Sequence, residues 1–196
     1  MKPILFNTDM VRAILEGRKT VTRRVVKPQP AGDGSKPEPL AKRPGYWNAW
    51  GDDYVYRQPH HPGDILYVRE TWAAWSPTYG TAPKIIYKAD GYSQSQKMRW
   101  LPSIHMPREA ARIFLRVTDV RVERLQEITE EQAQAEGAKG WMVATDRDWD
   151  KNPNHLISFR HLWDSTIRKA DRAIYGWEAN PWVFVIGFER IDREEA

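Results

Sequence analysis

The segment from Pro181 to Ile191 constrains the fold more than any other part of the sequence, because it is long and apolar at consecutive positions. Successive side chains of a strand point to opposite faces of a sheet, so a strand with one face in water alternates apolar with polar residues. A strand that is apolar on both faces is instead covered on both sides. We therefore predict a central strand over 181–191 in this 196-residue chain.

The remaining elements follow from side-chain periodicity and from residues typical of helix and strand ends. In segment 111–123 apolar residues alternate, and the alternation changes phase at Thr118 and Asp119, which predicts a β-bulge. Several strands follow one another without a helix after each. This order indicates an α+β fold, a mixed β-barrel with flanking helices, rather than a doubly wound sheet. Helices are predicted over 7–16, 129–136 and 154–169, and further strands over 19–26, 65–72 and 84–88.

Residues 28–62 differ in composition from the rest of the chain, since seven of the fourteen prolines lie there. The same segment contains Trp47, Trp50 and Tyr54, and aromatic residues are scarce in disordered linkers. We expect a long loop that folds over one side of a single domain spanning 1–196, with one or more of these rings as anchors.

Composition excludes several classes of site. The chain has no cysteine, which rules out disulfides, thiolate zinc sites and a cysteine nucleophile. Its five histidines show no metal-binding spacing, so we expect neither a metal nor an organic cofactor. The 30 basic and 26 acidic residues give a net charge of +4, which is small for a protein that binds duplex DNA. The N-terminal residues form neither a signal peptide nor a membrane span, which predicts a cytoplasmic protein with no membrane partner.

The segment Gly17–Arg24 is unusually polar for a strand. Residues two apart share a face of a strand, so Thr22 and Arg24 point to one side and Arg23 to the other. Lys19 stands at the strand start, where the backbone can turn its side chain back toward Thr22. By itself this pattern favours a solvated basic edge strand, and a reactive lysine–threonine pair is the alternative.

Glu136 lies at the C-terminal end of the predicted helix 129–136, where the helix dipole disfavours a carboxylate. The dipole accounts for Glu130 and Glu131 at the N-terminal end, but it does not account for Glu136. A residue in a locally unfavourable place is an indication of function.

Glu70 and Trp72 share a face of the predicted strand 65–72. The simpler interpretation puts Trp72 in the core and pairs Glu70 with an arginine. The functional alternative is a pocket wall, in which Trp72 stacks on a base and Glu70 binds its polar edge. His105 lies in a proline-bounded loop, where it is either a ligand contact or a residue whose ring bonds to the backbone.

Three segments, Gly17–Arg24, Gly63–Trp72 and Leu125–Gly137, together resemble the ASCH family, whose members have a PUA-like barrel. With Ser103–Pro107 and Asn180–Val185 added, the chain is similar to the longer ASCH proteins carried by bacteriophages and prophages, which would place it in the host cytoplasm. The resemblance covers essentially the whole chain. The Gly-x-Lys-x-x-Thr-x-Arg element is short, and its specificity comes from its occurrence with the other segments in order.

One branch of this family includes a small bacterial amidohydrolase that removes the acetyl group from acetylcytidine. The resemblance implies that Lys19, Thr22 and Glu136 are catalytic, and that Arg24 follows the reactive threonine by two residues. The chain is much longer than that enzyme, since the 28–62 insertion and helix 154–169 have no counterpart there. Its pocket is therefore open to a different substrate.

Three functions remain open at this point. The first is a metal-independent amidohydrolase acting on an acylated nucleoside or base such as N(4)-acetylcytidine. The second is a module that binds single-stranded RNA, or a ribonuclease, with Arg18 among its phosphate contacts and tryptophans stacking on bases. The third is a non-enzymatic phage accessory protein that binds a host protein through the insertion. The residues expected to bind substrate are Arg23, Arg24, Glu70, Trp72, His105 and Arg108.

Overall fold

The computed structural model describes residues 1–31, 34–49, 54–76, 82–91, 98–139 and 154–196, and every structural statement below concerns these residues. They form an α+β fold, as predicted. The helices are α1 (Thr8–Leu15), α2 (Glu130–Ala135), α3 (His155–Thr166) and α4 (Arg172–Tyr175). The strands are β1 (Lys2–Leu5), β2 (Val21–Val25), β3 (Glu38–Pro39), β4 (Tyr46–Asn48), β5 (Val55–Arg57), β6 (Ile65–Arg69), β7 (Trp72–Trp75), β8 (Lys84–Tyr87), β9 (Phe114–Arg124) and β10 (Trp182–Ile191).

The described chain divides into two compact units. Strands β9 and β10 each contribute residues to both units, because the boundaries fall inside these strands. The expectation of a single domain over 1–196 stays a prediction. The first unit contains Met1–Gly17, Gly63–Arg116 and Glu189–Ala196, and the second contains Arg18–Pro62 and Val117–Phe188.

The first unit is built on β6, which pairs in parallel with β1 and antiparallel with the start of β9. Helix α1 begins at Asn7, whose side chain accepts a hydrogen bond from the backbone N–H of Met10 at 2.9 Å. The helix is followed by Gly17, which has the positive φ of 74° that a side chain disfavours. Helix α1 therefore has the start and the stop that its sequence predicts.

The prediction of one strand over 65–72 is wrong. Strand β6 ends at Arg69, and Trp72 begins β7, which pairs antiparallel with β8 in a separate two-stranded sheet. Between them lies Glu70, which is 1% exposed and whose backbone N–H donates to the sulfur of Met106. The chain leaves the β6 ladder here because a buried carboxylate must meet its partner, described below.

The second unit is built on β10, which lies between β9 and β2. Residues 182–188 of β10 are all buried, as predicted for a central strand. Strand β2 runs antiparallel to it, with Thr22 opposite Ile186 and Arg24 opposite Phe184. On the face of β2 that carries Val21, a hydrophobic cluster packs the strands against α2 and α3. It includes Val21, Val183, Val185, Ala133, Phe159 and Trp163. The face of β2 that carries Val21 is therefore covered by this cluster.

The insertion carries a small antiparallel sheet, β3-β4-β5, which the sequence did not predict. Trp47 of β4 is buried, and its ring meets Phe184 of β10 edge-on at 6.3 Å between centroids. Its indole N–H donates to the side-chain oxygen of Gln58 at 2.9 Å. Since Phe184 is opposite Arg24, the small sheet approaches the face of β2 that carries Thr22. Of the other expected anchors, Tyr54 is half exposed and Trp50 lies outside the described residues.

Strand β9 shows the predicted change of phase. Thr118 and Asp119 are consecutive exposed residues, with buried Val117 before them and buried Val122 after them. The Asp119 carboxylate approaches Gly187 of β10 so closely that a Cβ there would lie 2.1 Å from its oxygen. A larger residue at Gly187 would therefore require the Asp119 side chain to move.

Helix α2 agrees with its prediction, whereas α3 is shorter than predicted. Helix α2 begins at its Thr129–Gln132 capping box as expected, and Glu136 is its C-cap. Helix α3 ends at Thr166 rather than at residue 169, because Ile167 already has extended backbone angles. Within the described part of the chain, no helix has both the length and the apolar character needed to cross a membrane.

Candidate active site around Lys19 and Glu136

Lys19 lies two residues before the start of β2. Thr20, between them, forms a backbone hydrogen bond through its N–H and another through its carbonyl. The N–H of Thr20 donates to Ala135 at the end of α2, and the carbonyl of Thr20 accepts from Phe188 of β10. These two bonds fix the approach of the chain to both elements. They leave the Lys19 side chain fully buried, at 0% exposure.

The Lys19 ammonium donates to three oxygens within a normal hydrogen-bond distance. It lies 2.7 Å from a carboxylate oxygen of Glu136, 2.8 Å from the backbone oxygen of the same residue and 2.8 Å from the backbone oxygen of Val21. The last oxygen belongs to the peptide bond that joins Val21 to Thr22. The ammonium is thus placed at the backbone of the predicted nucleophile.

Glu136 faces two cations from the end of α2. One carboxylate oxygen accepts from Lys19, and the other lies 3.3 Å from Nη1 of Arg23. The side chain is 3% exposed, so both ion pairs are protected from water. The carboxylate that the helix dipole disfavours is therefore stabilised by buried positive charge.

Arg23 is enclosed by protein on every side, at 0% side-chain exposure. Besides Glu136, its guanidinium donates to the side-chain oxygen of Gln132 at 2.5 Å and to Glu123 at 3.4 Å. It also lies 5.8 Å from the centre of the Phe159 ring. Arg23 is thus bound by protein groups from several elements, and its role in substrate binding stays a prediction.

Three cations, Lys19, Arg23 and Arg24, surround the Glu136 carboxylate; we call these four residues the charge cluster. Burial lowers the pKa of Lys19 below its ordinary value, and the charges of Arg24 and Arg23 lower it further, while Glu136 opposes the change. Burial also lowers the pKa of both arginines, but a guanidinium keeps its proton at any accessible pH. Lys19 is therefore the cation of this cluster that can lose a proton.

Thr22 is 1% exposed and lies on the face of β2 opposite to that of Arg23. The structure thus joins Lys19 directly to Glu136, and places Thr22 one residue beyond the carbonyl that Lys19 binds. Arg24 is partly buried on the same face as Thr22. All four residues belong to the second unit.

The other predicted binding residues lie in the first unit. Both oxygens of Glu70 accept from Arg112, at 2.9 and 3.1 Å, and burial nevertheless raises the pKa of the Glu70 carboxyl. Arg112 is thus the arginine that the simpler interpretation pairs with Glu70. A nucleobase would have to compete with Arg112 to bind Glu70. Trp72 packs against a buried cluster that contains Met106 and Phe114.

His105 and Arg108 are exposed in short 3-10 turns of the first unit. Arg108 lies 3.3 Å from the sulfur of Met1. In the described ranges, no three acidic or histidine side chains gather closely enough to hold a metal ion. The described residues therefore give no further candidate centre of that kind.

Sequence reasoning missed the residues that hold Arg23 in place. Gln132 was assigned to the capping box of α2, and it does bond to Thr129, but its oxygen also accepts from Arg23. Glu123 is a polar residue on a strand that also carries exposed residues, so nothing in the sequence indicates that it contacts Arg23. Contacts between residues about a hundred positions apart give no periodic pattern that a single sequence shows.

Comparison with protein-family models gives no match for this chain, and no curated protein matches its sequence. Among solved structures, the crystal structure of protein EF3133 from Enterococcus faecalis V583, of the family DUF984, is similar over 98% of this chain and 82% of that protein. The two sequences are 12% identical, and the TM-score is 0.44. A similarity this low assigns neither a fold family nor a function.

Proposed function

We propose that the protein is an amidohydrolase of the ASCH family, which cleaves the amide of an acylated nucleoside or base such as N(4)-acetylcytidine. The observation that supports this most is the buried pair of Lys19 and Glu136, placed at the backbone of Thr22. Arg23 is buried and Arg24 is partly buried, and both add positive charge without adding a removable proton. A lysine in such surroundings is suited to act as a base.

In the proposed reaction, neutral Lys19 takes the hydroxyl proton of Thr22, whose oxygen attacks the acyl carbon. The negative charge that develops on the acyl oxygen is stabilised by Arg24. The carbon–nitrogen bond breaks, and the leaving amine takes a proton delivered through Lys19 and Glu136. Water then hydrolyses the threonine ester, which releases the acid and regenerates the hydroxyl.

The PUA-like barrel is part of the same proposal. The α+β composition and the mixed sheet agree with it, since β1 and β6 are parallel whereas β6 and β9 are antiparallel. Strand β10, covered on both faces, would form the centre of that barrel.

The insertion would act as a lid over the Thr22 side of β2. Lys19, Thr22 and Glu136 are each at most 3% exposed, so a nucleoside must displace part of the protein to reach them. The small sheet β3-β4-β5 approaches that face through Trp47. Movement of such a segment is a common way to admit substrate and then exclude water.

The two alternatives draw less support from the geometry. Binding of RNA through an open basic groove needs accessible arginines; Arg108 is exposed, but Arg23 is enclosed. Capture of a host protein by the insertion needs an exposed apolar patch, and Trp47 is buried there.

The test is hydrolysis of a panel of acylated nucleosides, followed by chromatography. The Lys19→Arg protein should stay folded and lose turnover, because arginine cannot act as a base at accessible pH. Thr22→Ala should lose turnover as well, whereas Thr20→Ala, a matched change at an exposed neighbouring threonine, should keep it. Retained hydrolysis by Lys19→Arg would remove Lys19 from the base role. If the parent hydrolyses no substrate, and the Lys19→Arg protein binds RNA at least as well as the parent at two salt concentrations, the RNA alternative is favoured.

A further inference from the structure

Arg23 shares the Glu136 carboxylate with Lys19 but has no contact with solvent. Its Nη1 lies 3.3 Å from the carboxylate oxygen that Lys19 does not use, and the lysine is 2.7 Å from the other. One carboxylate thus serves two buried cations. Arg23 therefore also repels Lys19, and this repulsion opposes the attraction between Lys19 and Glu136.

Arg23 is itself fixed by three elements. Gln132 on α2 and Glu123 on β9 bind the Nη2 nitrogen, and Phe159 on α3 packs beside the guanidinium. Glu123 is in turn bound by Arg121. The Nε nitrogen of Arg23 is buried and has no hydrogen-bond partner among the described residues. A buried cation that leaves one donor unsatisfied is costly, which indicates that something other than stability accounts for it.

We infer that Arg23 is a positioning residue: it holds Glu136 by one oxygen, and its own positive charge offsets part of the attraction between Glu136 and Lys19. This inference rests on the proposed function, in which Lys19 must give up its proton. Arg23 touches neither the acyl group nor Thr22 in this role.

The consequence is a more acidic lysine. The charged groups that face Lys19 are Glu136 from α2 and Arg23 and Arg24 from β2, while Glu123 and Arg121 of β9 act on it through Arg23. Removing the charge of Arg23 would remove one repulsive neighbour of Lys19 while Glu136 stays in place. This change favours the protonated lysine, so its pKa should rise.

The experiment measures the titration of the Lys19 side chain by NMR with labelled lysine, independently of any activity. In Arg23→Met the midpoint should move to higher pH than in the parent, and in Arg23→Lys it should lie between the two. Arg160→Met is the charge-matched control, because Arg160 is half exposed and pairs with Glu178 at the surface. The Lys19 midpoint in this variant should equal the parent's. An unchanged midpoint in Arg23→Met would overturn the inference.

The pH dependence of hydrolysis gives a second readout. Near neutral pH, kcat/KM of Arg23→Met should fall on the order of tenfold, and it should recover at alkaline pH, where the lysine again loses its proton. A loss of the same size at every pH would indicate a structural role and would contradict the inference. If the midpoint moves but no protein hydrolyses any substrate, the proposed function fails and the role of Arg23 stands.

Arg23→Met removes a cation from buried Glu136 and from partly buried Glu123, and this change alone threatens folding. The double variant Arg23→Met/Glu123→Gln removes one positive and one negative charge together. It should fold where the single variant does not, as judged by circular dichroism. Its Lys19 midpoint should also lie above the parent's, and a midpoint at or below the parent's would overturn the inference.

Discussion

A buried lysine makes the stability of a protein depend on pH in a direction that can be worked out. Burial and neighbouring arginines lower the pKa of Lys19 in the folded protein, while the unfolded chain has the ordinary value of about 10.4. Between these two values the unfolded state binds more protons than the folded state. Folding therefore becomes more favourable as pH rises through this window, and below it the full cost of the charged lysine is present.

We expect this dependence to disappear in Lys19→Met. The free energy of unfolding of both proteins would be measured with urea from pH 6 to pH 10. Other titrating groups, such as Tyr87, are common to both proteins, so the difference between the two free energies isolates Lys19. The parent should gain stability relative to the variant as pH rises. A difference that stays constant across the range would show that Lys19 does not titrate there.

Arg112 offers a second test at the residue scale, in the first unit. Its guanidinium meets both oxygens of buried Glu70 and stacks 3.9 Å from the centre of the Tyr87 ring. Arg112→Met would leave a buried carboxylate without its cation, and we expect a loss of about 3 kcal/mol in the free energy of unfolding.

The matched control is Arg116→Met, four residues further along the chain on β9. Arg116 is more exposed and pairs at the surface with Glu189 and Glu195, so its loss should cost about 1 kcal/mol or less. Urea unfolding of both variants gives the comparison. Equal losses would show that burial of Glu70 does not distinguish the two ion pairs.

At the scale of elements, the insertion depends on one buried ring. Trp47 contacts Phe184 and bonds to Gln58, and it is the described link from β4 to β10. Trp47→Ala should destabilise the packing of the insertion by about 3 kcal/mol. Limited proteolysis should then cleave 34–62 faster while the remaining structure stays intact.

Tyr54→Ala is the control for this change. Tyr54 lies in the same insertion but is half exposed, so its truncation should leave the cleavage rate nearly unchanged. If both variants were cut at the same rate, Trp47 would not be the anchor of the insertion.

The elements that sequence reasoning predicted well are those with local determinants. Helix α1 has Asn7 before it and Gly17 after it, and α2 has its capping box, so both could be located from a few residues. Strand β10 was predicted because seven buried residues in succession leave an apolar run.

The elements that were missed lack such determinants. Strands of two or three residues, such as β3 and β5, are too short to show a period. The break after Arg69 depends on contacts of Glu70 with Met106 and Arg112, which lie about forty residues away. The same holds for the site: the sequence indicated Lys19 and Glu136 as unusual residues, but only the fold shows that Arg23 competes for the same carboxylate.

At the scale of the whole molecule, β9 and β10 run continuously from one compact unit into the other. A strand that loses its pairing in one unit loses support for its continuation in the other. We therefore expect one cooperative unfolding transition in urea. Hydrogen exchange followed by mass spectrometry should show peptides of both units losing protection at the same urea concentration. Two separate transitions would show that the units unfold independently.

The division of the chain also bears on how the protein is made. The first unit includes Glu189–Ala196, and Ile191 belongs to its buried cluster with Met106 and Phe114. Synthesis proceeds from the N-terminus, so the first unit lacks part of its core until these residues have left the ribosome. The buried cluster of Met106, Phe114 and Ile191 therefore stays incomplete while residues 117–190 are being synthesised, and chaperones can bind its apolar side chains during that time.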